Sequence, residues 1–586
     1  MKRFVFAILT IVSLIIAFGG VVFASPGEQD NPVPTLISPT AIPRQPVVDE
    51  IALPSQSTLA RIQNNGLLRV GILYNAPPFG ELDLRGEHSG YDADLARSIA
   101  EAWGVNVEFV QITRQSEDST SMLRTGEVDM LMGAQVHRRE LDSLVEFSQT
   151  YYMGQRSIIV RTDDQAMTPL DMNNRSLGVV VATPVEDAVN NWIARNRLSV
   201  PVQTYLTLDR AYVALVAGEI DGVVDSDYRL YQVSALRPEL TQILDEPIEQ
   251  EPFAIAIMRQ DVAMRDLVNR TLQHLTENGR MEEIHRAYFP GERYDVIIAW
   301  DNLGEDAPKP EQFSNDFILP QQNIISRIQT ERVIRVAGLF DAAADAPLSQ
   351  QALDTLHRAL LQQMVARWVM TVQFVPNSAG NALELVANGQ ADIAVGITPD
   401  WNWANRVDFT GAYVLHGQRL MIRVNDPFEN FSDLPGKTII FPNNESGASE
   451  RILDLASSVN VRVEMSGQRE QDLAFVLLTD TDILADVAFG DSLKLIPHVR
   501  ENPTSLILTE RPNNPSGPWY SKSLMVMAVP ENDIDFRLLV DYTLQEMIRD
   551  GTVNSLLPPL MLQEDIPAFE IWPGNGNYSG FSISAP

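Results

Sequence analysis

Cysteine is absent from all 586 residues. Disulfides, thiolate metal sites, cysteine nucleophiles and a lipid-modified cysteine anchor are therefore excluded. Basic residues are few beside acidic ones, 44 against 77, and the net charge is −33. A nucleic-acid partner needs a basic footprint, so none is expected. The 7 histidines show no metal-ligand spacing. There is no zinc motif, no phosphate-cradling glycine loop and no G-x-S-x-G elbow. No catalytic residue, no metal and no cofactor is expected, and the chain reads as a non-enzyme.

What is present begins with Met1-Lys2-Arg3 and an uncharged apolar run, Phe4 to Ala24. The basic start, apolar core and Val22-Phe23-Ala24 ending fit a secretory signal peptide. The run is also long enough to span a bilayer, for which about 20 residues suffice. Residues 1–24 are thus a signal peptide or an N-terminal membrane anchor. The chain is expected to be exported, to the periplasm or the cell surface, and tethered there if the helix is kept. Residues 25–56 are rich in Pro, Ser, Thr, Gln and Asp and poor in large apolar side chains, which predicts a disordered tether.

The rest is too long for one core. It also repeats itself. Arg265–Gly279 matches Arg537–Gly551 at an offset of 272 residues. GEVDMLMG at Gly126 matches GQADIAVG at Gly389, Val145–Ser148 matches Val407–Thr410, and Arg69-Val70 matches Arg335-Val336. Four matches in one order predict a duplicated domain. The expected division is module 1 at 57–300, a polar, Pro-containing linker at 301–320, module 2 at 321–560, and a polar tail at 561–586.

Leu67–Val110 opens module 1 as a β-loop-α-β unit. Its aromatics fall just past the carboxyl end of the first strand, the edge where open α/β sheets bind ligands. This stretch resembles the opening of the family 3 bacterial extracytoplasmic solute-binding proteins, the periplasmic amino-acid-binding type. So do Gly133–Glu140, Val145–Tyr152 and Ala182–Asp187, although Ala182 stands where the family usually has Gly. The chain resembles a tandem duplication of that family with a degenerate second copy. The resemblance implies an α/β fold of two tandem bilobal periplasmic-binding-protein type II modules, each with two doubly wound sheets joined by a hinge. It also implies capture of a small polar, amino-acid-like solute for delivery to an ABC-type transporter, with a membrane permease as partner. The alternative is a membrane-tethered ligand sensor or scaffold with no transport role.

An amino acid needs donors for its carboxylate, an acidic acceptor for its ammonium, and aromatic walls. Tyr74, Phe79 and Tyr91 are the candidate walls, and Tyr91 sits at the family's aromatic ligand position. The family's ligand Arg falls on Leu141, so Arg138 and Arg139, in the same turn, are the clamp candidates. Thr183 opens a helix whose free N–H groups suit an anion. The ammonium position falls on Ser226, flanked by Asp225 and Asp227, either of which suits it. Module 2 has FDAAADAPL at its front edge, no counterpart of Tyr91-Asp92, and Trp403 at the Arg position. It is expected not to bind an amino acid, unless Arg406, Asn443 and Ser446 form an altered site.

Overall fold

The structure, a computed structural model, describes residues 56–574 apart from 113–116, 236, 318, 321–322, 341, 344, 376–380, 480–483 and 512–516. The apolar run at 1–24 and nearly all of the expected tether lie outside the described residues. Among the described residues no helix is long and apolar enough to cross a membrane.

Module 1 begins with α1 (Thr58–Asn65), whose first turn is capped by the Ser57 hydroxyl. The apolar strand β1 (Leu67–Leu73) follows, then α2 (Tyr91–Trp103), β2 (Asn106–Ile112) and β3 (Met130–Leu131). β1 lies between β2 and β3, parallel to both. Strand β4 (Val145–Arg161) is unusually long, at 17 residues. It leaves this lobe and enters a second one, built from β5 (Leu177–Val180), α3 (Pro184–Asn196), β6 (Val202–Tyr205), β7 (Gly222–Ser226) and α4 (Asp227–Ser234). β8 (Glu249–Met258) returns antiparallel to β4, and α5 (Val262–Glu277) closes the first lobe. The strand order is β2-β1-β3-β8-β4-β7-β5-β6. The β4/β8 pair is common to both lobes and is the hinge. Each lobe keeps its own core, Val70, Ile99, Trp103 and Leu267 in one, Val160, Val179, Trp192 and Val224 in the other.

Module 2 repeats the plan. Its first lobe holds β9 (Val333–Ala337), α6 (Leu348–Trp368), β10 (Thr371–Val375), β11 (Ile393–Ile397) and β12 (Val407–Phe409). The second lobe holds β13 (Gln418–Arg423), β14 (Thr438–Pro442), α7 (Ala448–Ser458), β15 (Glu464–Gln468), β16 (Val487–Asp491), α8 (Ser492–Glu501) and β17 (Leu506–Leu508), ordered β15-β14-β16-β13-β17. β18 (Ser523–Pro530) and α9 (Ile534–Arg549) return to the first lobe.

The expected absence of a counterpart to Tyr91-Asp92 needs correction, because the positions persist with other residues. Trp103 Nε1 donates to Thr271 Oγ1 at 2.8 Å, and Trp368 Nε1 donates to Thr543 Oγ1 at 2.9 Å. That match sets Leu356-His357 of α6 where α2 has Tyr91-Asp92. In module 1, buried Asp92 accepts from Gly133 N at 2.8 Å, Ala134 N at 2.7 Å and Tyr151 OH at 2.7 Å. In module 2, Tyr413 OH hydrogen-bonds His357 Nε2 at 3.0 Å and accepts from Gly396 N at 2.9 Å. A histidine and a tyrosine there do the work of a carboxylate. Burial lifts the Asp92 carboxyl to about 6 even against these three donors. Asp92→Ala strands two backbone N–H groups and a phenol, and should cost about 1–3 kcal/mol in a thermal-unfolding measurement.

The modules meet through their first lobes about a pseudo-two-fold axis. Arg265 of α5 pairs with Asp408 of β12 at 2.7 Å, and its equivalent Arg537 of α9 pairs with Glu146 of β4 at 2.5 Å. Gln545 accepts from Arg139 and from Trp572 N, at 2.9 and 3.0 Å. Its equivalent Gln273 accepts from Trp401 Nε1 and Trp300 N, each at 2.8 Å. Trp572 stacks on His137 with centroids 3.8 Å apart, while Trp300 lies 4.6 Å from Trp401. Each element is thus answered by its copy, as in an isologous dimer contained in one chain. The segment expected to be a tail contributes directly: Phe569 and Trp572 are buried, and Gln250 of the hinge accepts from Ile571 N at 2.8 Å.

Candidate functional site

The two lobes of module 1 touch beyond the hinge. Phe79 of the first lobe and Tyr228 of α4 have centroids 5.1 Å apart, and Gln232 Nε2 donates to Pro77 O at 2.5 Å. Phe79 also packs on Tyr152 at 5.1 Å and Phe253 at 4.8 Å, which are hinge-strand residues. The turn that carries Phe79 depends on Gly90. Its φ is +116°, and a Cβ there would meet Phe79 O at 2.4 Å, so only glycine fits.

Below the aromatics the hinge strands carry charge. Glu249 faces Arg156 directly across the β4/β8 pair. The Arg156 guanidinium reaches Glu249 at 2.5 Å and also Glu251. Residue types of opposite charge opposite one another on antiparallel strands attract. At the β7–α4 junction, Asp225 is fully buried, and its Oδ1 accepts from Ser226 N at 2.8 Å and Arg229 at 3.0 Å. Asp225 Oδ2 and Glu251 Oε2 are buried without a hydrogen-bond partner among the described residues. Asp227 Oδ1 accepts from its neighbour Tyr228 N at 2.6 Å. Burial is the main cause that raises Asp225, Asp227 and Glu249, with Asp227 lifted to about 7. Glu249 and Glu251 bond the buried Arg156, Asp225 bonds Arg229, and Arg138 and Arg195 act on Glu249 from further away. Asp227 instead faces Glu251 and Glu292, and a cationic group beside it would relieve the repulsion.

Phe79, Tyr91, Asp225 and Asp227 are brought into this neighbourhood. Phe79 and Tyr91 are fully buried members of the aromatic cluster, and Tyr91 OH has no hydrogen-bond partner among the described residues. Tyr74 lies half-buried past the end of β1, its carbonyl accepting from Leu82 N at 3.1 Å. Arg138 stands 3.4 Å from Glu140, and its charge partly offsets the burial that raises the nearby Glu249 carboxyl. Arg139 is carried elsewhere. It opens a short 3-10 turn, and its guanidinium bonds Glu546 at 2.8 Å and lies 4.5 Å from the Tyr542 ring centroid, in the interface between the modules. Thr183 precedes α3 as expected, but its hydroxyl donates to Val180 O at 2.7 Å. Ala182 before it has φ +55°, the left-handed region that favours glycine. In module 2, Trp401 also packs between the modules.

The sequence reading missed Arg156, Glu249, Glu251, Tyr152 and Tyr228. A signal was there: Glu249 and Glu251 alternate along β8 and Arg156 lies on β4, and antiparallel strands set such residues face to face. A cavity of about 480 Å³ lies between the modules, lined by Phe147, Thr150, Trp300, Asp408, Lys522 and Trp572 among others. None of Arg156, Asp225, Asp227 or Glu251 lines it, so it is separate from the hinge cluster.

Comparison with known proteins finds one family in both halves of the chain. The model of the bacterial extracellular solute-binding proteins, family 3, matches residues 68–291 and again 354–558. A glutamine-binding protein of Geobacillus stearothermophilus is 27% identical over 208 residues, covering 35% of this chain and 77% of that protein. The ABC transporter glutamine-binding protein GlnH of Bacillus subtilis is 23% identical over 239 residues, covering 40% and 85%. Among solved structures, an ancestral arginine-binding protein bound to arginine is 26% identical, covers 38% of this chain and 99% of its own, and superposes with a TM-score of 0.33.

Proposed function

We propose, for a chain that belongs to family 3 of the bacterial extracellular solute-binding proteins, that module 1 captures an amino-acid-like solute carrying a positive group. The observation that supports this is the hinge cluster, with the unpartnered oxygens of Asp225 and Glu251 and the raised Asp227 beneath the Phe79–Tyr228 contact. The ammonium goes to Asp227 and Asp225, and aromatic side chains flank it. Tyr74, Tyr91, Arg138 and the N-terminus of α3 at Thr183 bound the remainder of the solute. Lobe closure over the β4/β8 hinge traps it. Delivery to an ABC-type permease outside the cytoplasm follows from the relatives' function. A ligand sensor is the second reading, favoured by the module 2 arm that grips Gln250 of the hinge.

Titration of the full chain with L-arginine, L-lysine, L-glutamine and L-glutamate tests the proposal. The cationic amino acids should bind best, and a ligand at 100 times its Kd should add about 2.7 kcal/mol of stability. Tightest binding of glutamate, or no stabilisation by any of the four, would overturn it.

A further inference from the structure

Module 2 holds a carboxylate of its own where module 1 has Thr183. The positions match through their hydrogen bonds. Each lies three residues beyond its strand, β5 ending at Val180 and β14 at Pro442. Thr183 O accepts from Glu186 N at 3.1 Å, and Glu445 O accepts from Ala448 N at 3.4 Å, each pair three residues apart. The surroundings match as well. Arg156 pairs with Ser226 across β4 and β7, and Gln418 pairs with Asp491 across β13 and β16. Glu445 therefore takes the place of Thr183, and Gln418 the place of Arg156.

The Glu445 carboxylate is held as a ligand's would be. Oε2 accepts from Asp491 N at 2.9 Å, at the N-cap of α8, and lies 3.6 Å from Lys494 Nζ. Oε1 accepts from Gln418 Nε2 at 3.3 Å. The side chain is only 11% exposed. A backbone N–H at a helix start, a side-chain amide and an ammonium are what a free carboxylate needs. The same turn ties the lobes together. Lys494 donates to Asn444 O at 3.2 Å, Asn444 donates to Glu470 at 3.2 Å, and Glu470 accepts from Ser349 N at 3.2 Å in the first turn of α6. Pro347 gives α6 no side-chain cap of its own, so the opposite lobe supplies it.

We propose that Glu445 is the resident occupant of the module 2 cleft, standing where a free carboxylate would sit, while the Asn444–Glu470–Ser349 link from the same turn holds the lobes closed without solute. Vacated, its three donors form a site for a small carboxylate. Module 2 is then a fixed, closed partner to a module 1 that opens and closes.

Chemical rescue of the full chain tests this. Glu445→Ala should lower the melting temperature of module 2 by about 4–8 °C. Acetate or propionate, at ionic strength matched with chloride, should restore at least half of the loss. Wild type and Glu445→Gln should show no acetate-specific gain. Equal gains in wild type and Glu445→Ala, or no rescue, would overturn the proposal. If Glu445→Ala does not fold, the native chain still decides. It has no cysteine, so spin labels on Gln362→Cys and Leu453→Cys report the lobe separation alone. Wild type should give one narrow distance that no amino acid moves; a broad or solute-shifted distance would overturn the proposal. These readouts lie within module 2 and stand whether or not module 1 binds the solutes named above.

Discussion

Arg537→Ala is expected to destabilise the folded chain by about 3–5 kcal/mol, the cost of leaving a buried charge without its partner. The Arg537 guanidinium lies 2.5 Å from Glu146 and 3.3 Å from Asp541, and all three side chains are no more than 10% exposed. Burial has already raised Asp541 to about 6, with Arg537 the largest influence pulling it down. Without Arg537 both carboxylates lose the guanidinium that bonds them in a low-dielectric interface. Arg265, paired with Asp408, is the symmetric case and should show a cost of the same size. Adding Glu146→Gln to Arg537→Ala should recover part of the loss, because it removes the stranded charge. Urea unfolding of the two singles and the double measures all three. A loss below about 0.5 kcal/mol for Arg537→Ala, typical of a surface site, would mean that the interface is open to water and that the modules are not locked.

That interface explains why part of the molecule was legible in the sequence and part was not. The bilobal α/β plan of each module shows in local periodicity: Leu67–Leu73 and Val333–Ala337 are strands, and the repeated segments that begin at Arg265 and Arg537 fall on the helices Val262–Glu277 and Ile534–Arg549. Contacts between copies leave no such trace. Arg139 stands in the turn where the family places a ligand arginine, and nothing local distinguishes it from Arg138. Only the approach of Gln545 and Glu546, some 400 positions away, commits it to packing. The polar sequence after 560 hid Phe569, which packs into the first-lobe core of module 2, and Trp572, which stacks on His137 of module 1. Asp225 and Asp227 were reached through the family's ammonium position, which falls on the local strand-to-helix junction of β7 and α4. Their partners Glu251 and Arg156 required the pairing of two crossovers nearly 100 residues apart.

Asp227→Asn is expected to weaken binding of a cationic amino acid by about 2–5 kcal/mol, the range for losing one member of a desolvated charge pair. It should also remove a pH dependence. The groups around Asp227 are Glu251, Glu292, Tyr152, Tyr228 and Tyr231, and Arg156 and Arg229 act on its neighbour Asp225. Burial, not a charge partner, is the main reason it titrates at about 7. A cationic solute binds the ionised form, so wild-type affinity should rise as pH goes from about 6 to about 8 and then level off. Stability without solute runs the other way. The folded state holds this proton up to about pH 7, whereas the unfolded carboxyl loses it near 3.8. Between those values the folded state binds more protons, so its contribution to stability falls as pH rises. Asp227→Asn cannot ionise, so it should bind worse than wild type at pH 8 yet be more stable there, and the two should converge at pH 4. Calorimetric titration and thermal unfolding across this range separate the effects. An Asn variant that binds as tightly as wild type at pH 8 would place the ammonium elsewhere, with Asp225 the next carboxylate to test. One that is less stable at pH 8 would make Asp227 a structural anchor and would remove the buried charge on which the solute assignment rests.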